Sequence, residues 1–462
     1  MTAGLAPTQA VTRWIDLLLS ETPGELMKPA VSEALYEQAC QVLPGGVSRN
    51  TIFRTPHPFY ADKASGCRVT DVEGVERIDF ANNMAALIHG HAHPAIVSAV
   101  SDQLQRGSAF TMATEAEVRC AQHLCSRSPA FDKIRFVNSG TEAVMAGLKA
   151  ARAFTGRAKI AKVEGAYHGT YDYAEVSQTA SPANWGAPER PSSVPVAVGT
   201  PKSALDDVVV IPFDDSETAV AILNQHAGEI AAVLLDPMPH RVGLIPADRD
   251  FVHALRRWSD VNDAVLFFDE VITFRSTYEG AQAWFDVQPD LTALGKVIGG
   301  GFPAGALAGR DEIMRVFDPR QDKVLLPHSG TFSANPISMT AGRVAMELFD
   351  QTAVERLNAL GYYARRVIRE VIAEVGAQAC VTGGGSLLRI HLKPEIPTNY
   401  RSAYMSADET ARVKCLLDHL YDNGIMMINT CTAALSTAMT EAEINTLAKA
   451  LRTALIQLRA RI

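Results

Sequence analysis

The sequence predicts an α/β fold with a mostly parallel central sheet, flanking helices and a smaller α+β domain. From about residue 95 to 345, helical stretches alternate with short apolar runs of the kind that form buried parallel strands. Polar residues follow directly after these runs, where open α/β sheets place their ligands. After residue 345 the order changes to helix, strand, helix, strand and closing helix. The predicted strands of the central sheet are Ile134–Val137, Ile160–Val163, Val208–Ile211, Ala232–Leu235, Val265–Phe268 and Ala306–Ala308.

Local signals predict the elements on either side of this sheet. Near the N-terminus, Ser32–Val42 has helical spacing. Short strands separated by turns at Ser65-Gly66 and Glu73-Gly74 then predict an antiparallel meander. At the C-terminus, Thr440 and Glu443 have the spacing of a helix cap, and apolar residues recur behind them at helical intervals.

Composition and charge limit the classes of protein. A hydrophobic fraction of 47% and a charged fraction of 20% are ordinary for a soluble globular chain. The net charge of -8 disfavours nonspecific binding of nucleic acid. No apolar run approaches the ~20 residues of a membrane-spanning helix, and we see no export signal. Seven cysteines without a C-x-x-C pair predict free thiols in a reducing cytoplasm. We therefore expect a cytoplasmic metabolic enzyme with no nucleic-acid or membrane partner.

The most informative stretch is the apolar run Val265–Phe268, which ends on Asp269 and Glu270. An acid at the end of a buried strand is costly to ionise unless it faces a cation, and a protonated pyridinium nitrogen is such a cation. Lys296 follows in an apolar, glycine-rich neighbourhood, where an amine loses its proton easily and can form a Schiff base. Taken singly, the acid could cap a helix and the lysine could lie in a turn. Together they predict pyridoxal phosphate, with Asp269 on the ring nitrogen and Lys296 carrying the cofactor as an imine.

A phosphate-binding turn is predicted where Ile134–Val137 leads into a helix. The turn contains Ser139 and Glu142 at the spacing of a capping box, which marks a helix N-terminus. Free backbone N–H groups and the helix dipole favour phosphate there, and the Thr141 hydroxyl can add a further hydrogen bond. This turn, the acid and the lysine predict the same cofactor.

These segments resemble the class III, fold-type I pyridoxal-phosphate aminotransferases, and within them the glutamate-1-semialdehyde aminomutase group. The resemblance covers roughly residues 35 to 455 in the family's order. It implies a fold-type I PLP-dependent transferase that acts as a homodimer with shared active sites. The matching segments are Pro44-Gly45-Gly46-Val47, Gly90-His91-Ala92-His93-Pro94, Phe136–Glu142, Gly165-Ala166-Tyr167-His168-Gly169, Phe268-Asp269-Glu270-Val271, Leu294–Gly301 and Ser329-Gly330-Thr331-Phe332-Ser333-Ala334-Asn335-Pro336.

The length of 462 residues is too great for one ordinary core, so we expect two packed domains. Residues 1–30 are expected to form an N-terminal arm with a short helix over Val11–Leu19. Residues 91–345 form the predicted large PLP-binding domain. The predicted small domain combines residues 31–90 with residues 346–462, as the resemblance implies.

Three alternating histidines, His89, His91 and His93, have a pattern that can bind metal. They precede a proline and have no supporting cysteine or acid cluster, so we interpret them as a polar loop. The family resemblance favours the same interpretation, and no metal site is expected.

The resemblance implies a set of cofactor-binding residues, among which Lys296, Asp269 and Tyr167 are catalytic. Lys296 would move a proton between the substrate and the cofactor. Tyr167 would lie over one face of the pyridine ring and Val271 on the other. The full set is Ser139, Gly140, Thr141, Tyr167, His168, Asp269, Val271, Lys296 and Thr331, the last reaching the phosphate in the other subunit.

Departures from the aminomutase pattern concern the substrate. The segment Asp269–Arg275 is one residue shorter than in the aminomutases, and Arg49 follows Pro-Gly-Gly-Val-Ser. Both features resemble the aromatic β-amino acid (β-phenylalanine) aminotransferases, in which an arginine at the Arg49 position binds the substrate carboxylate. Their second arginine has no counterpart in Asn429–Thr432.

Two further residues are candidate substrate contacts. Asn83-Met84 replaces the Ser-Trp that the aminomutases carry, so Met84 is one candidate. Arg241 replaces a small polar residue near the expected cofactor and is a second candidate for the carboxylate. It could instead pair with Asp236 or with the cofactor's phenolic oxygen.

Three hypotheses for function follow. The first is an aminotransferase that moves an amino group from an amino acid, such as a β- or aromatic amino acid, to a keto acid by a ping-pong mechanism. The second is an aminomutase of the glutamate-1-semialdehyde type, or an amino-acid racemase, on the same scaffold. The third is a non-catalytic PLP-binding protein, which the presence of both Asp269 and Lys296 disfavours.

Overall fold

The computed structural model describes residues 30–459, so the predicted arm helix over Val11–Leu19 lies outside the described residues. The described chain up to Tyr60 forms one compact unit, and the chain from Ala61 onward forms another. In the first unit, the helix Val31–Val42 confirms the predicted helix, and two short 3₁₀ turns, Pro44–Gly46 and Asn50–Ile52, follow it.

The second unit alternates strands and helices through most of its length. Its strands are β1 (Ala61–Ser65), β2 (Arg68–Asp71), β3 (Glu76–Asp79), β4 (Lys133–Val137), β5 (Lys159–Val163), β6 (Gly186–Ala187), β7 (Arg190–Pro191), β8 (Val208–Ile211), β9 (Ile230–Leu235), β10 (Val265–Asp269), β11 (Leu291–Gly295), β12 (Gly305–Gly309), β13 (Cys380–Thr382), β14 (Leu387–His391), β15 (Ile425–Met426) and β16 (Thr432–Ala434). Its α-helices are Pro94–Arg106, Glu115–Cys125, Gly140–Thr155, Asp172–Glu175, Lys202–Asp206, Ser216–Asn224, Arg249–Val261, Asp311–Met314, Pro336–Leu348, Gln351–Val375, Tyr400–Ala403, Ala407–Asp422 and Glu441–Arg459, and Asn82–Ala85 forms a single helical turn. Short 3₁₀ turns are His240–Val242, Thr273–Ser276, Ala281–Trp284, Lys296–Gly299 and Arg315–Phe317.

The central sheet has the strand order β4-β12-β11-β10-β9-β5-β8. Only β12 runs antiparallel to its neighbours, which confirms the predicted mostly parallel sheet. The helix Gly140–Thr155 packs so closely on this sheet that only a glycine fits at Gly147. A Cβ there would lie 2.3 Å from the ring of Phe267 in β10. The sheet thereby fixes the helix N-terminus against the strand that carries Asp269.

Two smaller sheets and the two-stranded antiparallel pair β6-β7 complete the fold. In the first, β1, β2 and β3 form the predicted antiparallel meander, and β15 adds to β3 in parallel. In the second, β14 pairs antiparallel with both β13 and β16. The β3–β15 pair joins the two stretches of chain assigned to the small domain. The boundaries at residues 30, 90 and 345 stay predictions.

Two of the three alternating histidines, His89 and His91, make hydrogen bonds within the fold. The ring nitrogens of His89 lie 2.8 Å from Thr437 Oγ1 and 2.8 Å from the Ala345 carbonyl oxygen. His91 Nε2 lies 2.7 Å from Asp79 Oδ2. Within residues 30–459, no group of three His, Cys, Asp or Glu side chains could hold a metal ion.

Two other sequence-based expectations concern cysteines and membranes. All seven cysteines are unpaired thiols, as predicted. In the part of the chain from 30 to 459, every helix is too short or too polar to cross a bilayer.

A left-handed turn follows β3. The four residues Asn82–Ala85 have φ angles between 44° and 70°, a region that costs an L-residue roughly 1–2 kcal/mol each. Contacts from elsewhere hold the turn: Asn82 Nδ2 donates to the Ala434 carbonyl at 2.7 Å, and Arg275 Nη1 donates to the Ala85 carbonyl at 3.2 Å. Met84, a candidate substrate contact, lies within this strained turn.

We expect Arg275→Met to destabilise the fold strongly. Arg275 is completely buried and also donates to the Leu435 carbonyl and to Ser386 Oγ. Each buried carbonyl left without a donor costs about 1–3 kcal/mol, so the loss of two predicts about 2–6 kcal/mol. Urea unfolding of the cofactor-loaded protein measures this difference. Arg315→Met, on the surface, is the control, and equal unfolding midpoints for the two variants would contradict the prediction.

Candidate active site

The phosphate-binding turn lies between β4 and the helix Gly140–Thr155. Ser139 is the N-cap of the helix, and its side chain accepts a hydrogen bond from the Glu142 N–H at 3.2 Å. Glu142 accepts in turn from the Asn138 N–H at 2.7 Å, so the reciprocal bond of the predicted capping box falls one residue earlier. The N–H groups of Gly140 and Thr141 have no intrahelical acceptor and can bind an anion.

Glycines allow a close approach of other site residues to this turn. A Cβ on Gly140 would lie 2.8 Å from the Val271 side chain, and a Cβ on Gly169 would lie 2.4 Å from Thr141 Oγ1. A Cβ on Gly295, which precedes Lys296, would also meet Val271 at 3.2 Å. The fold therefore brings together the predicted phosphate turn, Val271 and the backbone before the lysine.

Asp269 ends β10 and is buried. Its Oδ1 accepts from the Val271 N–H at 3.0 Å, and its Oδ2 lies 2.8 Å from His168 Nδ1. Burial lowers the pKa of His168 and outweighs the opposite effect of Asp269. A neutral ring must donate from Nδ1 to the carboxylate, so His168 fixes the orientation of Asp269. His168 Nε2 is buried without a hydrogen-bond partner among the described residues.

Lys296 directly follows β11 and is partly buried. Its φ of 49° lies in the left-handed region, which a non-glycine residue adopts at a cost of roughly 1–2 kcal/mol. Burial lowers the pKa of its ammonium group, opposed by the negative charges of Asp269 and Asp236. Its amine is therefore easier to deprotonate than that of an exposed lysine, as a nucleophile requires.

Asp236 was not among the predicted site residues. It follows β9, which pairs with β10, and it is buried. Burial, and then the charge of Asp269, raise its pKa well above the usual value. The strand-end pattern that identified Asp269 applies equally to Asp236, so it could have been found from sequence.

Glu270, the acid that follows Asp269, has a different environment. Its carboxylate accepts from the Ala281 N–H at 2.5 Å and from the Gln282 N–H at 3.1 Å. Burial raises its pKa to about 8 from the ordinary value of 4.5, although these bonds oppose the shift. The folded state therefore favours the protonated form of Glu270 below about pH 8.

This shift predicts a pH dependence of stability. Because the pKa of Glu270 is raised in the folded state, its contribution is fully present below about pH 4.5 and is lost as the pH rises through about 8. Compared with Glu270→Gln, which does not titrate, the wild-type protein should lose stability between pH 5 and 8. Unfolding free energies of both proteins across this range test the prediction. A wild-type unfolding free energy that stays constant or rises with pH, relative to that of Glu270→Gln, would contradict the prediction.

Tyr167 and Arg241 lie on the more open side of the site. Tyr167 is 39% exposed, and the guanidinium carbon of Arg241 is 5.6 Å from its ring centroid. Arg241 Nη1 is 3.5 Å from the Gln178 carbonyl oxygen, a distance at the limit of a hydrogen bond. No ion pair joins Arg241 to Asp236 in the described chain, so this alternative role of Arg241 is not observed.

Lys162 is a second buried lysine, which the sequence reasoning missed. Its Nζ donates to the Ala166 carbonyl at 3.1 Å and to the Val176 carbonyl at 2.6 Å. Burial and the nearby charge of Arg241 lower its pKa to about 7. It holds the turn that carries Tyr167, and a charged residue within the apolar strand β5 was the available signal.

Three further residues were predicted to contact the substrate or the phosphate. Met84 is half-buried, and Thr331 is exposed in the loop before the helix Pro336–Leu348. Arg49 is exposed and belongs to the first compact unit, just before the turn Asn50–Ile52. Their roles stay predictions.

Comparison with known proteins extends these observations. The chain matches the family described as aminotransferase class-III over residues 52–455. A glutamate-1-semialdehyde 2,1-aminomutase from Methanothermobacter thermautotrophicus is 41% identical over 377 residues, which is 81% of this chain and 87% of that protein.

Similar solved structures include transaminases. An omega-transaminase from Sphaerobacter thermophilus has a TM-score of 0.91 and 45% identity, covering 94% of this chain and 99% of its own. A β-phenylalanine aminotransferase from Variovorax paradoxus has a TM-score of 0.82 and 34% identity, covering 91% of this chain and 93% of its own. A transaminase with PLP bound has a TM-score of 0.86 and 42% identity, covering 94% of this chain and 99% of its own.

Proposed function

Because the chain belongs to the class III aminotransferases, fold-type I enzymes that use pyridoxal 5'-phosphate, we propose that it moves an amino group from an amino acid to a keto acid. The family match and the similar solved structures confirm the predicted family, fold class and cofactor. The observation that carries the proposal is the Arg241 guanidinium beside Tyr167, in a site with an easily deprotonated Lys296. A guanidinium suits a carboxylate, which amino and keto acids share. The similarity to the β-phenylalanine aminotransferase supports a β- or aromatic amino acid as donor.

The residues fit the cofactor. When bound, pyridoxal phosphate supplies an electrophilic carbon for the substrate amine and a ring that takes up electrons from the substrate. The N–H groups of Gly140 and Thr141 would bind its phosphate. Asp269, oriented by His168, would accept a hydrogen bond from the ring nitrogen and keep it protonated. Lys296 would hold the cofactor covalently, then take and return a proton at the substrate carbon.

A second candidate function is an aminomutase of the glutamate-1-semialdehyde type. The relative from Methanothermobacter thermautotrophicus supports it by name, as do further relatives such as that from Methanocaldococcus jannaschii, 36% identical over 83% of this chain and 88% of its own. The omega-transaminase, 45% identical over 94% of the chain, supports transamination. A racemase would use the same residues.

Isotope transfer distinguishes these functions. The cofactor-loaded protein is given ¹⁵N-labelled α-, β- and ω-amino acids, and separately labelled glutamate-1-semialdehyde, each with an unlabelled keto acid. Transamination predicts that ¹⁵N appears in the amino acid formed from the keto acid. An aminomutase keeps the label in an isomer of the donor, and a racemase keeps it in the enantiomer. Retention of the label for every donor that reacts would contradict the proposal.

We also propose a homodimer with shared active sites. Thr331 is exposed, and the apolar side chains of Met112, Leu325 and Phe332 are more than half exposed, as expected of surfaces that are covered in an assembly. We expect a mass of two chains by analytical ultracentrifugation, and Phe332→Arg should shift the protein toward one chain with loss of activity. Full activity at a mass of one chain would contradict this proposal.

A further inference from the structure

Arg389 lies in the middle strand of the β13-β14-β16 sheet, opposite Thr432. Its strand neighbours Leu388 and Ile390 pack into the hydrophobic core. Because side chains alternate along a strand, Arg389 points to the opposite face. There its Nη1 donates to the His240 carbonyl oxygen at 2.9 Å. This bond connects the small antiparallel sheet to the turn His240–Val242, which carries Arg241.

Arg389 lacks the partners that buried arginines have elsewhere in the described chain. It is 3% exposed, and its Nε has no hydrogen-bond partner. By comparison, Arg77 pairs with Asp71 at 2.6 Å, and Arg127 and Arg275 each donate to three or more acceptor atoms. Removing a charge from water without a counter-ion costs several kcal/mol. Arg127 and Arg275 also lack a carboxylate partner in the described chain, but their several acceptors offset that cost, whereas Arg389 has the single acceptor His240. The stability of the fold therefore gives little reason for the charge of Arg389.

Arg241 is a second cation close to Arg389. The nearby positive charge of Arg241 acts on Arg389, and burial lowers the pKa of Arg389 to about 10. Neither arginine has a carboxylate partner among residues 30–459. Two like charges held near one turn repel each other, and an anion beside them would relieve that repulsion.

His240, which precedes Arg241 and accepts from Arg389, does not supply the missing anion and is not a third cation. Burial, with the charges of Arg389, Arg241 and Lys296, lowers its pKa to about 3, so the ring is neutral. Its Nε2 lies 3.0 Å from Thr430 Oγ1, which ties the turn to the loop before β16. The charge of Lys296 acts on His240, so the cationic turn is electrostatically coupled to the reactive amine.

We propose that the turn His240–Val242 binds the carboxylate of the amino or keto acid, with Arg241 as its direct partner and Arg389 as a positioning residue. Arg389 holds the turn through the His240 carbonyl and adds a positive charge that no acid neutralises. The inference rests on the proposed function, since it specifies how that function selects acids over simple amines.

Binding measurements on the cofactor-loaded enzyme test this inference. The ligands are 3-phenylpropanoate and its uncharged amide, neither of which has an amine to react. We expect the wild-type protein to prefer the acid, and Arg241→Met and Arg389→Met to lower that preference by roughly ten- to a hundredfold. Arg389→Lys keeps a charge and one donor, so it should restore most of the preference, whereas Arg389→Gln keeps a donor without the charge and should not.

The outcomes separate this inference from the proposed function. If amino acids are transaminated but the acid-to-amide preference is unchanged in both methionine variants, the inference is overturned and the function stands. If no amino acid is transaminated but the preference still depends on both arginines, the carboxylate site stands and the function fails. Should Arg389→Met not fold, Arg241→Met and Arg389→Lys decide: an unchanged preference in Arg241→Met, or a lost one in Arg389→Lys, overturns the inference.

Discussion

Replacing Lys296 with alanine is expected to lower kcat by roughly 10²–10⁴-fold or more, since loss of a positioned general base alone has about this effect. Burial lowers the pKa of the lysine, and the nearby charges of Asp269 and Asp236 only partly oppose this shift. Lys162, the other buried lysine described above, should not replace it, because its Nζ donates to two backbone carbonyls. The fold and the phosphate-binding turn should remain intact.

The measurement combines turnover with covalent labelling. After borohydride treatment, mass spectrometry should find the cofactor attached to the wild-type chain but not to Lys296→Ala. Lys202→Ala is the control, because Lys202 is exposed and pairs with Asp206 on its own helix. Normal turnover, or full covalent attachment in the alanine variant, would show that another residue holds the cofactor.

Asp269→Asn is expected to lower kcat by roughly 10²–10³-fold, the loss seen when one preorganised electrostatic partner of a transition state is removed. The amide is nearly isosteric, so its effect reports the lost negative charge rather than a cavity. Without that charge the ring nitrogen is not kept protonated. His168 would lose the carboxylate that accepts its Nδ1–H.

Asp71→Asn is the matched control for this change. Asp71 is also a buried aspartate at a strand end, but its partner is Arg77 at 2.6 Å. We expect that variant to lose stability and keep its kcat, whereas Asp269→Asn should do the reverse. Equal losses of kcat in the two variants would mean that Asp269 has only a structural role. Kinetics and thermal unfolding of both variants provide the comparison.

Strong local patterns account for what could be predicted from the sequence. The apolar run Val265–Phe268 is a buried strand because its side chains face packed layers on both sides. The capping pattern at Ser139 places a helix N-terminus where it was expected. Such features depend on neighbours in sequence, so they can be read without the fold.

Other features depend on contacts between distant segments. Strand β11 escaped prediction because Leu-Thr-Ala-Leu-Gly is short and not rich in β-branched residues, and it becomes a strand through pairing with β10 and β12. The left-handed turn Asn82–Ala85 is held by Arg275, far along the chain. The uncompensated charge of Arg389 could be recognised only once its partners were known.

A single-turnover experiment without an acceptor tests the central claim most directly. The cofactor-loaded protein is mixed with one equivalent of an amino acid that it accepts, and the released product is measured together with the cofactor's absorbance. We predict about one equivalent of keto acid per active site and a loss of the aldehyde-form absorbance, which a keto acid then restores. Conversion of the amino acid to an isomer, with no keto acid released, would contradict transamination.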